Sequence, residues 1–158
     1  MRSLIPLILV IVACSSRDTQ TSKEVSVRDE PINYVSTDLR KISWIEGNWR
    51  GMAGDNPFYE IYKITNDSTL EITTYVWNGT DSSKSASTYI KWDQDAHYLG
   101  DNRNWKVTSI ADDSITMVPA NRGPNTIVWK RTGDGWTATL GSKKGKVVYD
   151  MKRVEHFR

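Results

Sequence analysis

From residue 47 onward the chain alternates apolar and polar side chains with a period of two, interrupted at short intervals by turn-forming pairs. The runs are 49–53, 58–65, 69–77, 84–92, 97–100, 105–110, 114–118, 126–131, 136–140 and 146–154. β-branched and aromatic residues, which fit a pleated surface, dominate each of them. Between the runs stand Asn66-Asp67, Asn78-Gly79, Asp101-Asn102, Asp112-Asp113, Gly133-Asp134 and Gly141-Ser142, pairs whose backbone preferences close tight hairpins. Short links make sequence neighbours antiparallel. The pattern predicts an all-β fold, an antiparallel up-and-down barrel of about 8–10 strands whose closure removes exposed edges. A two-sheet sandwich is the competing arrangement. Leu70, Ile72, Thr74 and Val76 share one face of their strand and Glu71, Thr73, Tyr75 and Trp77 the other. Neither face is cleanly polar, so the alternation leaves inside and outside open. Ahead of the strands, Thr37 or Asp38 is expected to cap a short helix carrying Leu39, Ile42 and Ile45, with Gly47 ending it in the left-handed conformation.

The first 36 residues follow a different pattern. An apolar run over 4–13 follows Met1 and Arg2, about the length of a signal-peptide core and short of the roughly 20 residues a spanning helix requires. Its end, Ile11-Val12-Ala13-Cys14, resembles the lipobox of bacterial lipoproteins. The resemblance implies that Cys14 is lipidated, that residues 1–13 are removed, and that the protein is held on a membrane without crossing it. More than one acyl chain gives stable anchoring where one is marginal. Ser15 stands where an aspartate directs inner-membrane retention under enterobacterial sorting rules, so the outer membrane of a bacterial envelope is the favoured location. Residues 14–36 mix small polar and charged side chains without periodicity and are expected to form a flexible tether. Such a chain spans about 25 Å. The domain division is therefore 1–13 signal peptide, 14–36 tether and 37–158 barrel.

Composition narrows the function classes. Cys14 is the only cysteine, which excludes a disulfide framework. Loss of Arg2 with the signal peptide leaves 20 basic and 19 acidic side chains, a balance that argues against a nucleic-acid partner. Lys143-Lys144-Gly145-Lys146 is the one compact basic cluster and fits a hairpin tip. Seven Trp and seven Tyr supply large buried areas in a chain with few aliphatic residues, so the core is expected to be aromatic.

The segment Asp38-Leu39-Arg40-Lys41-Ile42-Ser43-Trp44-Ile45-Glu46-Gly47-Asn48-Trp49-Arg50-Gly51 resembles the entrance of lipocalin-like, or calycin, barrels, where a short helix leads into a Gly-x-Trp at the first strand. It is most similar to bacterial lipocalin-like domains that open on Trp-(Leu/Ile)-x-Gly-x-Trp and close on a strand ending Arg-Val. Here that strand is Val147-Val148-Tyr149-Asp150-Met151-Lys152-Arg153-Val154. The resemblance implies a structural contact of Trp49 with Arg153, with Lys152 or Arg131 as substitutes. The same group often carries Pro-x-His-Asp-Phe-Pro. Pro119-Ala120-Asn121-Arg122-Gly123-Pro124 keeps the prolines and lacks the histidine, the acid and the aromatic. Nitrobindins, haem-binding barrels with a similar opening, use a histidine near the chain's end. His156 lies there but follows the closing strand with no surrounding motif.

Glu60, in Phe58-Tyr59-Glu60-Ile61-Tyr62, is the acid to watch, because a charge among aromatics is costly unless paired or facing water. Pointing inward it orients a ligand's polar end, with Arg131 or Lys91 as a basic partner; pointing outward it pairs across strands. Tyr62, Tyr75, Trp77, Tyr89 and Trp92 have the bulk and polar edges of a pocket lining, and equally those of a core. His97, in Asp93-Gln94-Asp95-Ala96-His97, is the candidate base of a Ser-His-Asp site, although its neighbours read as a polar loop. Asp93, Asp95, Asp112 and Asp113 lack the spacing of a calcium loop, and no metal or cofactor is implied. The first expectation is thus an anchored lipoprotein binding a small apolar or amphiphilic molecule in its cup. The second is an envelope interaction or hydrolase-inhibitor module acting through the 53–57 and 121–124 loops, and the third is an enzyme using the cup.

Overall fold

The computed structural model describes residues 35–77 and 82–156, with backbone alone for Trp77 and Ser82. Ten strands, each antiparallel to its sequence neighbours, follow one short helix. They are β1 (Gly47–Ala53), β2 (Asn56–Asn66), β3 (Thr69–Trp77), β4 (Ser82–Asp93), β5 (Ala96–Leu99), β6 (Trp105–Ala111), β7 (Ser114–Pro119), β8 (Thr126–Thr132), β9 (Gly135–Ser142) and β10 (Gly145–Arg153). Pairing of β10 with β1 closes the sheet into an up-and-down barrel. Each of the ten expected runs forms a strand, and the sandwich alternative is excluded.

The helix (Ser36–Ile45) is 3₁₀, not α. Leu39, Ile42 and Ile45 recur every third residue, the interval at which 3₁₀ side chains eclipse, and all three are fully buried. Ile42 departs from helical geometry (φ −99°, ψ 22°), so the segment is two short turns meeting at that residue. Its start corrects the expected cap. Thr37 and Asp38 lie inside the helix, and the Asp38 carboxylate reaches back to accept the Val35 N–H at 2.9 Å. Gly47, at φ +123°, turns the chain into β1, and a side chain there would run into the Arg153 guanidinium.

Residues directly opposite on paired strands share a face. Tyr62 faces Ile72, Leu70 faces Ile90, Ile90 faces Leu99, Leu99 faces Trp105, and Ile115 faces Trp129. These chains of partners settle what the alternation left open: Leu70, Ile72, Thr74 and Val76 point inward, and Glu71, Thr73 and Tyr75 point outward. The interior is packed most densely at one end, and Val107, Met117 and Ile127 carry the packing up the β6–β8 wall. Leu39, Ile42 and Ile45 from the helix meet Trp49, Tyr62, Leu70, Ile72, Ile90, Ile115 and Trp136 at the dense end, beside the β2–β3, β4–β5, β6–β7 and β8–β9 turns. Trp136 centres this base, with the rings of Trp44, Trp49, Tyr62 and Trp129 at 5.4–6.4 Å. At the opposite end the inward-facing Val76, Leu140 and Val147 remain 48, 38 and 51% exposed. The barrel is a cup with a packed base and an open mouth.

Closure is concentrated at the base. Between β1 and β10 the paired residues are Trp49 with Arg153 and Arg50 with Lys152, extended by Val154 N–H donating to the Asn48 carbonyl at 3.0 Å. Arg153, not Lys152 or Arg131, lies over the Trp49 ring at 4.6 Å, and its Nη2 donates to the Glu46 carbonyl at 2.9 Å. The Trp49 indole N–H in turn donates to the Ile45 carbonyl at 2.6 Å. One cation thus ties the last strand to both the first strand and the helix end. Trp49→Ala is expected to cost about 3–5 kcal/mol and Arg153→Ala about 1–2 kcal/mol in urea unfolding. Equal midpoints for Arg153→Ala and wild type would show that the ladder alone closes the barrel.

Candidate functional site

Above the packed base a cavity of about 370 Å³ opens toward the mouth, within the size range of small-molecule sites. β2 presents Phe58, Glu60 and Tyr62 to it at the two-residue strand interval. Trp129 from β8, Ala138 and Leu140 from β9, and Tyr149 and Met151 from β10 complete most of the wall. Phe58 and Tyr149 meet edge-on at 5.5 Å from opposite sides of β1. Gly51 makes room between them, since a Cβ there would overlap the Phe58 ring and the Met151 sulfur. The wall is apolar and aromatic apart from Glu60 and the groups that hold it.

Glu60 lies on the floor of this cavity, its Cα opposite Trp49 on one side and Thr74 on the other. The Tyr62 hydroxyl donates to Oε2, and the Thr74 hydroxyl donates to Oε1 at 3.3 Å. Burial pushes the Glu60 carboxyl above its ordinary range, against the opposing pull of these two hydroxyls. Burial, reinforced by the adjacent carboxylate, holds the Tyr62 phenol well above its usual value, so it stays a donor. The pair is a fixed polar point in an apolar wall, able to donate to an acceptor when Glu60 is protonated and to accept when it is ionised.

Of the residues expected to line a pocket, Glu60 and Tyr62 come together, while Tyr75, Tyr89, Trp92 and Arg131 are placed elsewhere. Tyr75 points outward, opposite Tyr59 on the outer wall. Tyr89 also points outward, its hydroxyl donating to Glu71 at 3.4 Å, with Lys91 stacked over its ring at 4.1 Å. Both lie on the odd-numbered faces that the register turns to the outside. Trp92 faces inward but one step past Ile90, at the base, where it packs edge-on to His97 at 5.0 Å. Arg131 sits two residues beyond Trp129, below the floor, in a crevice of about 120 Å³ with Trp44, Trp49, Asp134 and Arg153. Neither Arg131 nor Lys91 can therefore partner Glu60. The side chain of Trp77 lies outside the described residues, and its backbone ends β3 at the mouth.

Phe58, Trp129, Leu140 and Tyr149 were not singled out as lining, yet the turns carry the signal for most of them. A two-residue turn at Gly133-Asp134 sets Thr132 opposite Gly135 and hence Trp129 opposite Ala138. The next turn sets Ser142 opposite Gly145 and hence Ala138 opposite Tyr149.

The other candidate groups serve the scaffold. His97 is buried; its Nε2 bonds the Ser36 carbonyl at 3.1 Å and its Nδ1 has no partner. Asp95 pairs with Lys106 at 2.9 Å and Asp93 with Arg103 at 3.3 Å, so the acids beside His97 are engaged with cations on the outer wall and form no triad with it. Among the described residues no group of three or more His, Cys, Asp or Glu is placed to hold a metal ion. Asp112 and Asp113 occupy the β6–β7 turn, His156 is exposed beyond β10, and 53–57 and 121–124 both lie at the mouth.

His97 and Glu60 respond to pH in opposite directions. Burial lowers the His97 pKa, opposed by its bond to the Ser36 carbonyl and by Asp38, so the unfolded chain takes up a proton first as pH falls. Stability should therefore drop from about pH 6.5 downward, to the lowered folded-state value. For Glu60 the folded state holds the proton longer, so stability should drop as pH rises from about 4.5 to the raised folded-state value. In urea titrations across pH, His97→Gln is expected to flatten the first slope and Glu60→Gln the second; an unchanged second slope in Glu60→Gln would mean that Glu60 is solvated in the folded protein.

Comparison with protein-family models, with curated proteins and with solved structures finds no match to this chain.

Proposed function

We propose that this protein is a lipocalin-like binding protein of the bacterial envelope, anchored through lipidated Cys14, with the outer membrane favoured, that holds a small apolar or amphiphilic molecule in its cup. The observation that carries the reading is the contrast between the two ends of one barrel. The base is packed to full burial, while the mouth leaves Val76, Leu140 and Val147 exposed above a cavity of about 370 Å³ with Glu60 on its floor. Apolar side chains held inward yet open to water are favourable only when something covers them. Among the described residues the chain enters the barrel at its base, through the helix. Cys14 and nearly all of the tether over 14–36 lie outside the described residues.

A second reading, an envelope interaction module, draws on the outer wall beside the β1–β10 seam. There Met52 and Val148 are 40 and 53% exposed around a groove of about 540 Å³ that also carries Arg50 and Lys152. It takes precedence only with an empty cup.

Native mass spectrometry of the protein purified from its membrane, compared with its denatured mass, should reveal a discrete adduct lost on unfolding. Trp129→Ala and Tyr149→Ala should lose that adduct while remaining folded. A bare protein, still bare after incubation with fatty acids, refutes cup binding and leaves the interaction module. Cys14→Ala should appear unprocessed or in the soluble fraction; normal membrane fractionation of that variant would exclude the lipid anchor.

A further inference from the structure

The inner cavity and the rim differ in the charged side chains that line them. Glu60 stands on the floor, and the one compact basic cluster of the chain, Lys143-Lys144-Gly145-Lys146, forms the β9–β10 turn at the mouth. A second cavity of about 390 Å³ lies at this rim, lined by the inward-facing Trp105, Leu140 and Val147, by Lys144 of the turn, and by Lys146, which leaves β10 on the outer face at the lip. Leu140 is a wall of both cavities, so an apolar surface runs from the Glu60 floor to the rim lysines. Among the described residues no carboxylate pairs with Lys143, Lys144 or Lys146. The rim acids Asp55 and Asp101 line neither cavity. The turn owes nothing to the lysine side chains: the Ser142 hydroxyl accepts the Lys144 N–H and donates to the Gly145 carbonyl, both at 3.2 Å.

We propose that the ligand is an anionic amphiphile bound tail-first, its apolar chain against Trp129 and Tyr149 and its carboxylate or phosphate at the rim between Lys144 and Lys146. The proposal rests on the cup-binding reading and adds the ligand's charge and direction. An anion entering head-first meets a carboxyl group already engaged by two hydroxyls and finds no cation among the residues of the inner cavity. An uncharged chain end leaves that floor undisturbed. The rim supplies cations that no carboxylate pairs among the described residues, beside the apolar wall of Leu140 and Val147, and such placement sets orientation and partner choice.

The test compares four probes of one chain length, each below its micellar concentration, by titration calorimetry on the protein: dodecanoate, dodecyl phosphate, dodecanol and dodecylammonium. At least one anion should bind more tightly than dodecanol, which identifies the preferred head, and dodecylammonium should bind most weakly. Lys144→Ala with Lys146→Ala should weaken that anion about three- to tenfold at low salt and leave dodecanol unchanged, with the difference vanishing near 1 M salt. Unchanged dodecanol affinity certifies that the cup is intact in the variant. Anions binding no better than dodecanol, or a double variant that keeps the anion preference, overturns the orientation while the cup reading stands. Failure of all four probes to bind overturns both.

Discussion

The barrel depends on how its first and last strands are joined. An up-and-down barrel has one pairing that is not a hairpin, and here it is the short β1–β10 ladder at the base. A side-chain clamp reinforces those few hydrogen bonds. Arg153 stacks on Trp49 and donates to the carbonyls of Trp44 and Glu46, while the Trp49 indole holds the Ile45 carbonyl. Those carbonyls belong to the end of the 3₁₀ helix, where helical backbone acceptors lack partners of their own. One cluster therefore closes the barrel, ends the helix and fixes the plug that the helix forms. Gly47 is required at its centre for two independent reasons, its positive φ and the guanidinium beside it.

Closure and the aromatic part of the core are concentrated at the base, while Val107, Met117 and Ile127 extend the core along the β6–β8 wall. The five-ring cluster around Trp136 and the three helix isoleucine and leucine side chains bury their area within one end of the barrel. A buried acid is then tolerable one step above that cluster, because Tyr62 belongs to both regions: its ring packs against Trp129 and Trp136, and its hydroxyl holds Glu60. The rotamer that presents the hydroxyl is thus locked by core packing, which fixes the position of the polar group. Trp136 and Trp44 leave buried indole N–H groups without acceptors, a cost the aromatic base carries.

Strand order and approximate ends are legible in the chain because a period of two recurs in ten runs, six of the nine links between them carrying a turn pair. The helix is legible too, and its three-residue spacing of Leu39, Ile42 and Ile45 points to 3₁₀ geometry. Facing was harder. In β3 both faces carry apolar or aromatic side chains, since Tyr75 lies on an outer wall opposite Tyr59. Hydrophobicity alone then selects the wrong aromatics, and Tyr75 and Tyr89 read as lining. Height along the barrel is a second hidden variable: Trp92 and Arg131 have the right parity and the wrong level, because parity reports the face and not the distance from the plug. Turn-by-turn register recovers both, as the pairing of Trp129 with Ala138 and of Ala138 with Tyr149 shows.

The mouth and the seam share a further consequence of this design. Toward the mouth, β1 and β10 are no longer paired by the ladder, and the wall there is continued by side chains: Phe58 from β2 meets Tyr149 of β10 across Gly51, with Met151 behind. Contacts between rings slide and rotate at lower cost than a ladder breaks, because each ladder bond that opens into an apolar wall leaves backbone groups to be satisfied. By contrast β2 and β3 are paired along nearly their whole length. The β1–β10 wall is also the wall that Tyr149 and Met151 contribute to the cavity. The Arg153 clamp sits at the opposite end of the same seam, so one seam is closed by a cation and a ladder at its base and by ring contacts toward the mouth.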